Sequence, residues 1–267
     1  MVHMATYDLL CLTRCYRRAA ELENVLRLFV ELVPYAGVKT FVVLAPDPRA
    51  TPEVLEIVER YKNTPHVLVM LPSVPVMSPE YGQKWITVLN EMCEMFDRTG
   101  NSARWVCDTD DDQGFSPGWM SWLPACLDDP VAWAWRSVTL FLWNEEETMV
   151  NAKQYHWGPS IGRYQMGARR HTGRVIEVPD FVQDAIDAAS SKQKTLPFYL
   201  VDYSCCCKHA RMQLYKDYAR AGKIDPYTKR YISNPILIPL DTVYHDFPDP
   251  AKYEEFQKGL FAQGLCD

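Results

Sequence analysis

The stretch "ARWVCDTDDDQG" (residues 103–114) joins a short apolar run to four closely spaced carboxylates. The apolar part is typical of a buried strand, and the acids that follow are Asp108, Asp110, Asp111 and Asp112. Like charges this close repel one another and raise each other's pKa. Such a cluster is either a solvated acidic loop or the binding site of a positive charge. We favour a binding site, because the acids follow directly on a strand.

Upstream of this stretch, apolar runs alternate with helical patterns. We predict strands at "YDLLCLT" (7–13), "VKTFVVLA" (38–45) and "HVLVML" (66–71), with helices at 17–32, from Thr51-Pro52 onward, and at 81–96. This rhythm predicts an α/β fold with a mostly parallel sheet, right-handed crossovers and flanking helices. Ligands of such sheets bind at the carboxyl ends of the strands. The acidic cluster lies at one of those ends.

The second half of the chain has weaker patterns. "SPGWMSWLPACL" predicts a helix capped by Ser116, and "VAWAWRSVTLFLW" (131–143) predicts one long strand. The interval 148–176 predicts loops or a small hairpin, and helical patterns follow near 181–193 and 204–221. "NPILIPLDTVYHDF" (234–247) predicts a late strand before a terminal helix.

Composition limits the class of protein. The chain has 267 residues, of which 48% are hydrophobic and 23% charged, as expected of a globular α/β protein and not of a disordered one. We find no apolar run of the roughly 18 residues that span a bilayer and no secretory signal. Nine cysteines without a CxxC pair favour reduced thiols and a cytoplasmic location. The run Cys205-Cys206-Cys207 near His209 predicts buried thiols rather than a zinc site.

Charge is distributed unevenly along the chain. Residues 1–150 carry 12 basic and 21 acidic residues, a net charge of −9, whereas the remainder carries 16 and 13, a net charge of +3. An acid-free interval contains aromatic residues and five cations, Lys153, Arg163, Arg169, Arg170 and Arg174. This mixture suits phosphate backbones and stacked bases. A solvated flap is the alternative interpretation.

The acidic cluster has the ligand chemistry of a hard divalent cation. Residues two apart on an extended segment point the same way, so Asp110 and Asp112 can share an ion, and Asp108 and Asp110 form a second such pair. Mg²⁺ and Mn²⁺ take carboxylate oxygens together with substrate phosphates. We therefore predict a metal and phosphate site at this strand end.

The segment "RWVCDTDDDQGFSPGWMSWL" resembles the DxD region of GT-A-type glycosyltransferases, in which a strand ends in Asp-x-Asp and a proline-led helix follows. Asp110-Asp111-Asp112 fits best, with Asp108 just ahead. The likeness extends over roughly residues 5–145. It implies donor contacts from residues at matching positions, namely Thr13, Arg14, Asp47, Gln83 and Lys84.

The resemblance implies a GT-A-like single domain. Residues 5–145 are expected to bind a nucleoside-diphosphate sugar, here a UDP-sugar, and residues 146–267 the acceptor. A Mn²⁺ or Mg²⁺ ion would bridge the two phosphates, held by Asp110, Asp112 and, as a third ligand, His245. Lys84 or Arg14 would assist at the phosphates. An inverting reaction would need a carboxylate base, for which we favour Asp202 over Asp180; helix capping is the alternative role for both.

The acceptor is the least constrained part of the prediction. With its basic interval, the chain is similar to small GT-A-like enzymes that glycosylate hydroxymethylated bases in phage DNA, which would place it in the host cytoplasm. Alternatives are a glycan or small-molecule acceptor, a nucleotidyltransferase, and a non-enzymatic binding module. "LTRCYRRAAE" has no glycine after the first strand, which argues against a nucleotidyltransferase.

Overall fold

The computed structural model of the protein describes residues 5–75, 81–144, 146–153, 159–167, 169–170, 176–177, 192–204 and 235–262. These residues fall into two compact units that interleave along the chain. Unit 1 comprises those numbered up to 112, from 120 to 136 and from 158 to 194, and unit 2 comprises the others. The predicted functional division into 5–145 and 146–267 stays a prediction.

Unit 1 is built on a seven-stranded sheet. Its strands are β1 (Thr6–Cys15), β2 (Thr40–Pro46), β3 (Val67–Val69), β4 (Ser102–Asp110), β6 (Ala134–Arg136), β9 (Pro159–Arg163) and β12 (Gln193–Thr195), in the order β12-β6-β9-β4-β1-β2-β3. β1 pairs in parallel with β2 and β4, and β2 with β3, whereas β9 runs antiparallel to β4 and β6. The predicted α/β fold with a mostly parallel sheet is confirmed.

The helices of unit 1 connect and flank these strands. They are α1 (Ala19–Arg27), α2 (Val33–Tyr35), α3 (Pro52–Tyr61), α4 (Tyr81–Arg98) and α5 (Trp119–Asp128), with a π-helical turn, Leu28–Leu32, between α1 and α2. Thr51 caps α3 by accepting a hydrogen bond from the backbone N–H of Val54, as predicted. α4 packs on one face of the sheet, where its side chains Val88, Met92 and Phe96 join the buried core.

The described residues of unit 2 form two small sheets and two helices. β5 (Gln113–Phe115), β13 (Leu200–Asp202) and β7 (Thr139–Phe141) form one sheet, and β8 (Met149–Asn151) pairs with β14 (Leu237–Pro239). Helices α6 (Leu240–Asp246) and α7 (Pro250–Ala262) follow. Their core is aromatic, with the rings of Tyr199, Phe247 and Tyr253 in edge-to-face contact. In unit 1, the short strands β10 (Arg169–Arg170) and β11 (Ile176–Glu177) pair in the antiparallel direction.

Three predictions about the second half are wrong. The apolar run 131–143 is two strands, because β6 belongs to the seven-stranded sheet and β7 to the β5–β13–β7 sheet. Ser116 does not cap α5, which begins at Trp119; its hydroxyl accepts a hydrogen bond from the backbone N–H of Tyr199. The expected late strand 234–247 is the three-residue β14 followed by helix α6.

Candidate functional site

The carboxyl ends of β1 and β4 lie at the topological switch point of the sheet. From β1 the chain moves outward to β2 and β3, and then returns to form β4 on the opposite side of β1. In open α/β sheets, the crevice at such a reversal is where ligands bind. β4 continues through Asp108 to Asp110, further than expected, so two of the four acids lie on the strand itself.

Arg14 from β1 lies between two of these acids. It is in register with Asp110 on β4, and its Nη2 atom is 2.7 Å from Asp110 Oδ1 and 3.3 Å from Asp108 Oδ1. Only 5% of the Arg14 side chain is exposed. The guanidinium expected to contact a phosphate is therefore paired with the protein's own carboxylates.

Thr13 occupies the preceding position on β1 and faces Thr109 of β4. Their hydroxyl oxygens are 3.0 Å apart, and both residues are buried. The Thr13 hydroxyl is thus engaged with the neighbouring strand, and its contact with the donor stays a prediction.

Asp111 turns back toward the segment that leads from β1 into α1. One carboxylate oxygen accepts hydrogen bonds from the backbone N–H groups of Tyr16, at 2.6 Å, and Arg17, at 3.3 Å. Burial raises the pKa of Asp111 to about 6, and the charge of Asp110 adds to this effect, while the hydrogen bond from Tyr16 opposes it. Asp111 thus holds the loop before α1 through these hydrogen bonds, and its contact with the donor stays a prediction.

Asp112 lies at a longer distance from its ion-pair partner, Arg18. Its Oδ2 atom lies 3.9 Å from Nε of Arg18, and Nη1 of the same arginine lies 3.9 Å from Glu21. Both distances exceed the hydrogen-bonding range and fall within that of an ion pair.

Sequence reasoning missed an aromatic and cationic cluster next to these acids. The guanidinium carbons of Arg17 and Arg49 lie 4.4 and 5.5 Å from the centre of the Tyr16 ring. Asp47, at the end of β2, accepts hydrogen bonds from Nε and Nη2 of Arg49 at 3.0 and 3.2 Å. The sequence feature that could have predicted this cluster is the basic run "TRCYRR" at the end of the first predicted strand. Asp47 therefore holds Arg49, a role that was not foreseen.

The predicted metal site fits these residues poorly. Within the ranges that the structure describes, no three His, Cys, Asp or Glu residues form a group that could hold a metal ion. Asp108 and Asp110 are engaged by Arg14, Asp111 by backbone amides, and Asp112 by Arg18. An ion between Asp110 and Asp112 would have to share both carboxylates with guanidinium groups.

Asp202, the favoured catalytic base, ends β13 in unit 2 and is 6% exposed. Its Oδ1 atom accepts a hydrogen bond from the backbone N–H of Ser204 at 2.8 Å, and its Oδ2 atom from Nε2 of Gln113 at 3.3 Å. The bond to Ser204 closes an Asx turn, the kind of local backbone role that was the alternative.

Other predicted residues have different outcomes. His245 lies in the last turn of α6, not after a strand, and its exposed ring is 2.7 Å from the Asp246 carboxylate; its role as a metal ligand stays a prediction. Gln83 and Lys84 lie in α4, but their side chains, like the whole of Asp180, are outside the described residues.

The cations of the basic interval belong to both units. Arg163 is half-buried, donates to the carbonyl oxygens of Ala132 and Asp129 at 3.1 and 2.6 Å, and stacks 4.0 Å from the centre of the Trp105 ring. These bonds hold its guanidinium within unit 1, and its contact with DNA stays a prediction. Lys153 belongs to unit 2. Arg174, Cys205-Cys206-Cys207 and the side chains of Arg169 and Arg170 lie outside the described residues.

Comparisons with known proteins give distant structural matches only. No protein-family model and no curated protein matches the chain. The crystal structure of S. aureus TarS 1–349 is 17% identical, with a TM-score of 0.35, and the match covers 58% of this chain and 46% of that one. Its complex with UDP-GlcNAc is 16% identical, with a TM-score of 0.36 and coverages of 60% and 45%. This chain thus spans less than half of the TarS structures it matches. Separately, no helix in the described ranges is long and apolar enough to cross a membrane.

Proposed function

We propose that the protein is a glycosyltransferase, which moves a sugar from a nucleoside-diphosphate sugar to a hydroxyl group of an acceptor. One observation carries the proposal: charged side chains from the ends of β1, β2 and β4 meet at the switch point of a parallel sheet. Burying charge costs free energy, so a cluster of this kind at a ligand-binding edge points to function rather than stability. The resemblance of this segment to a DxD region identifies the ligand class.

The donor's charge suits the cations at this edge. Arg17 and Arg18 lie directly after β1, and Arg49 follows β2. Guanidinium groups bind phosphate oxygens through paired, charge-assisted hydrogen bonds. The donor named by the resemblance, a UDP-sugar, presents such a diphosphate.

The proposed reaction is a displacement at the anomeric carbon. The acceptor oxygen forms a bond to that carbon, the bond to the diphosphate oxygen breaks, and the acceptor proton passes to a carboxylate. We propose Asp202 as this base. To act, its Oδ2 atom would exchange the hydrogen bond from Gln113 for one from the acceptor hydroxyl.

Asp202→Asn tests the proposed base. The amide keeps the shape of the side chain but cannot take a proton, so we expect kcat to fall by a factor of about 10² to 10⁴ with little change in donor affinity. Initial rates and donor affinity measured on the same preparations check this. Gln113→Glu is unsuitable as a control because it adds charge. Gln113→Met, which removes the bond to Asp202 Oδ2 and adds no charge, should retain most of the rate. Equal rates for Asp202→Asn and the unchanged protein would contradict the assignment.

The donor class is tested by thermal unfolding with UDP-, GDP-, dTDP-, ADP- and CDP-sugars, each with EDTA and with Mn²⁺. A ligand that binds only the native state raises the melting temperature, and we expect one nucleotide to do so while free sugars do not. Hydrolysis of the same nucleotide sugar without an acceptor would support transfer chemistry. No stabilisation by any compound in either buffer would refute the proposal.

The acceptor proposed from the sequence is a hydroxymethylated base in DNA, bound through the basic segment that contains Lys153, Arg163, Arg169, Arg170 and Arg174. Removing two phosphate contacts should lower affinity for DNA and reduce its salt dependence. We expect Arg169→Ala combined with Arg170→Ala to weaken binding to a short duplex at least tenfold at low salt, as measured by fluorescence anisotropy. Arg27→Ala, on the exposed part of α1, is the control. Unchanged DNA binding would leave a glycan or small molecule as the acceptor.

A further inference from the structure

The three-stranded sheet of unit 2 has two faces with different chemistry. Side chains alternate along a strand, so residues two apart lie on the same face. One face is apolar, because Val138, Leu140 and Val201 belong to a buried core that also contains Tyr199 and Tyr253. The other face carries the alternate residues of the same strands, and three of these are polar. We call it the polar face.

The polar face is defined by the pairing of β5, β13 and β7. Its six residues form two rows across the three strands, and they are Gln113, Asp202 and Phe141 in one row and Phe115, Leu200 and Thr139 in the other. All of them except Phe115 are buried. The proposed base, Asp202, therefore belongs to a buried surface that combines polar and apolar side chains.

Thr139 is the member of this face whose hydrogen bonding needs an explanation. Its side chain is 3% exposed, and within the part of the chain that the structure describes its hydroxyl oxygen makes no hydrogen bond. A buried hydroxyl without a partner costs free energy, because it has lost its bonds to water and gained none. Valine would fill the same space without this cost. Since such groups are rare in native proteins, the hydroxyl points to a partner outside the chain.

Thr139 and Asp202 lie close enough to bind one small molecule together. Leu200 is the direct neighbour of Thr139, and Asp202 lies two residues further along the same strand as Leu200. With strands about 4.8 Å apart and a rise of about 3.3 Å per residue, the Cα atoms of Thr139 and Asp202 are separated by roughly 8 Å. The residues that adjoin both, Leu200 and Phe141, are apolar. A molecule that lies on these two side chains can offer one polar group to Asp202 and a second to Thr139.

We propose that the polar face binds the acceptor: Asp202 takes the proton of the reacting hydroxyl group, and the Thr139 hydroxyl bonds a second polar group of the same molecule. This inference rests on the proposed function and names a residue and a substrate class for it. The acceptor is then a ring with an apolar face and two neighbouring polar groups. A threonine hydroxyl both donates and accepts, so it suits a second hydroxyl of a sugar and the amino group of a hydroxymethylated cytosine equally.

The first test is thermal unfolding of Thr139→Val, which removes the hydroxyl and keeps the shape of the side chain. We expect the melting temperature to rise by about 2–4 °C, because the cost of the buried hydroxyl disappears. Thr40→Val is the matched control. The Thr40 hydroxyl is also buried but donates to the carbonyl oxygen of Phe29 at 2.7 Å, so its loss should lower the melting temperature. An unchanged or lowered melting temperature for Thr139→Val would overturn the inference, because the hydroxyl would then be satisfied without an acceptor.

The second test is glycosyl transfer, with the nucleotide sugar that the thermal screen identifies as the donor. The acceptor probes are methyl glucoside and a short duplex that contains 5-hydroxymethylcytosine, and water is the acceptor in hydrolysis. Because water has no second polar group, Thr139→Val should lower the ratio of transfer to hydrolysis about tenfold. Thr139→Ser, which keeps the hydroxyl, should restore most of this ratio. The probe that accepts the sugar distinguishes a glycan from a modified base.

The outcomes separate this inference from the proposed function. An equal ratio for Thr139→Val and the unchanged protein overturns the inference and leaves the glycosyltransferase proposal intact. Hydrolysis of the donor without transfer to either probe does the same, since both probes have the required pair of polar groups. Failure of every nucleotide sugar to bind or to be hydrolysed refutes the proposed function, and the inference fails with it.

Discussion

From Leu9 to Arg14, the β1–β4 pair is one hydrogen-bonded ladder whose two ends have opposite chemistry. Toward the amino ends, Leu9 faces Trp105 and Cys11 faces Cys107, and all four side chains are fully buried. Toward the carboxyl ends, the facing pairs are hydroxyl with hydroxyl and then arginine with aspartate. Apolar burial stabilises the fold, whereas burying charge consumes stability. The contrast teaches that this strand pair anchors the sheet at one end, and that the other end, which carries the charges, is where we propose that the ligand binds.

The largest effect should come from the apolar end. Trp105 is fully buried, its indole N–H donates to the carbonyl oxygen of Leu127 at 2.7 Å, and Arg163 stacks on its ring. We expect Trp105→Ala to lower the free energy of unfolding by about 3–5 kcal/mol, as measured by urea denaturation. Trp105→Phe, which keeps an aromatic ring but loses the N–H, should lose less. A loss below about 1 kcal/mol for the alanine variant would break the comparison, because this end would then not be the anchor.

The next prediction concerns Asp111, at the charged end of the ladder. Its pKa is raised to about 6 in the folded protein, chiefly by burial, so the folded state binds this proton more tightly than the unfolded chain does. The protonated Asp111 therefore contributes fully to the free energy of unfolding below the unfolded pKa of about 4. This contribution, of up to roughly 3 kcal/mol, is lost as the pH rises through about 6. Asp111→Asn removes this term, so its stability relative to the unchanged protein should increase between pH 4 and pH 7. Urea unfolding at intervals across that range measures the difference.

A difference that stays constant from pH 4 to pH 7 would contradict the burial of an ionisable group at this position. Glu255→Gln, which removes an exposed carboxylate from α7, is the control for the loss of one negative charge.

The boundary between the two ends gives the smallest expected effect. Thr109→Val keeps the shape of the side chain but removes the hydroxyl that lies 3.0 Å from that of Thr13. We expect a loss of about 1 kcal/mol in the free energy of unfolding, because one buried hydroxyl loses its partner. Thr109→Ser, which retains the hydroxyl, is the control for the lost hydrogen bond. Greater stability for the valine variant would show that apolar character could extend further along the strands.

The first half of the fold was predictable because its patterns are long and regular. All residues of β2 are buried, and in the sequence this strand is an unbroken β-branched and apolar run. The start of α3 is marked by the capping residue Thr51 and by Pro52 in the first turn. The run 131–143 is different. Continuity of apolar residues does not reveal that two consecutive strands enter different sheets. Short elements such as β14 carry too few residues for a period to be distinguished.

The position of the candidate site in the sheet could be predicted from the sequence, but the contacts between its side chains could not. Acids after a strand of a parallel sheet identify the edge where ligands bind. Arg14 is separated along the chain by 94 positions from Asp108 and by 96 positions from Asp110. No local sequence pattern can therefore predict these contacts. For the same reason Arg163 was interpreted as a surface cation, although it closes onto the backbone of residues 129 and 132. The local sequence does not show whether a charged side chain is exposed when its partners lie far away along the chain.

The central position of β1 also has a consequence for how the chain acquires its structure. β1 is the first strand to be synthesised, yet β4, one of its two partners, is about 96 residues further along. Non-local parallel pairings form slowly, because the intervening chain must close a long loop before any contact is gained. As the chain leaves the ribosome, β1 can first pair only with β2 and must wait with its other edge open until β4 emerges. A chaperone that shields this edge during translation should therefore raise the yield of folded protein.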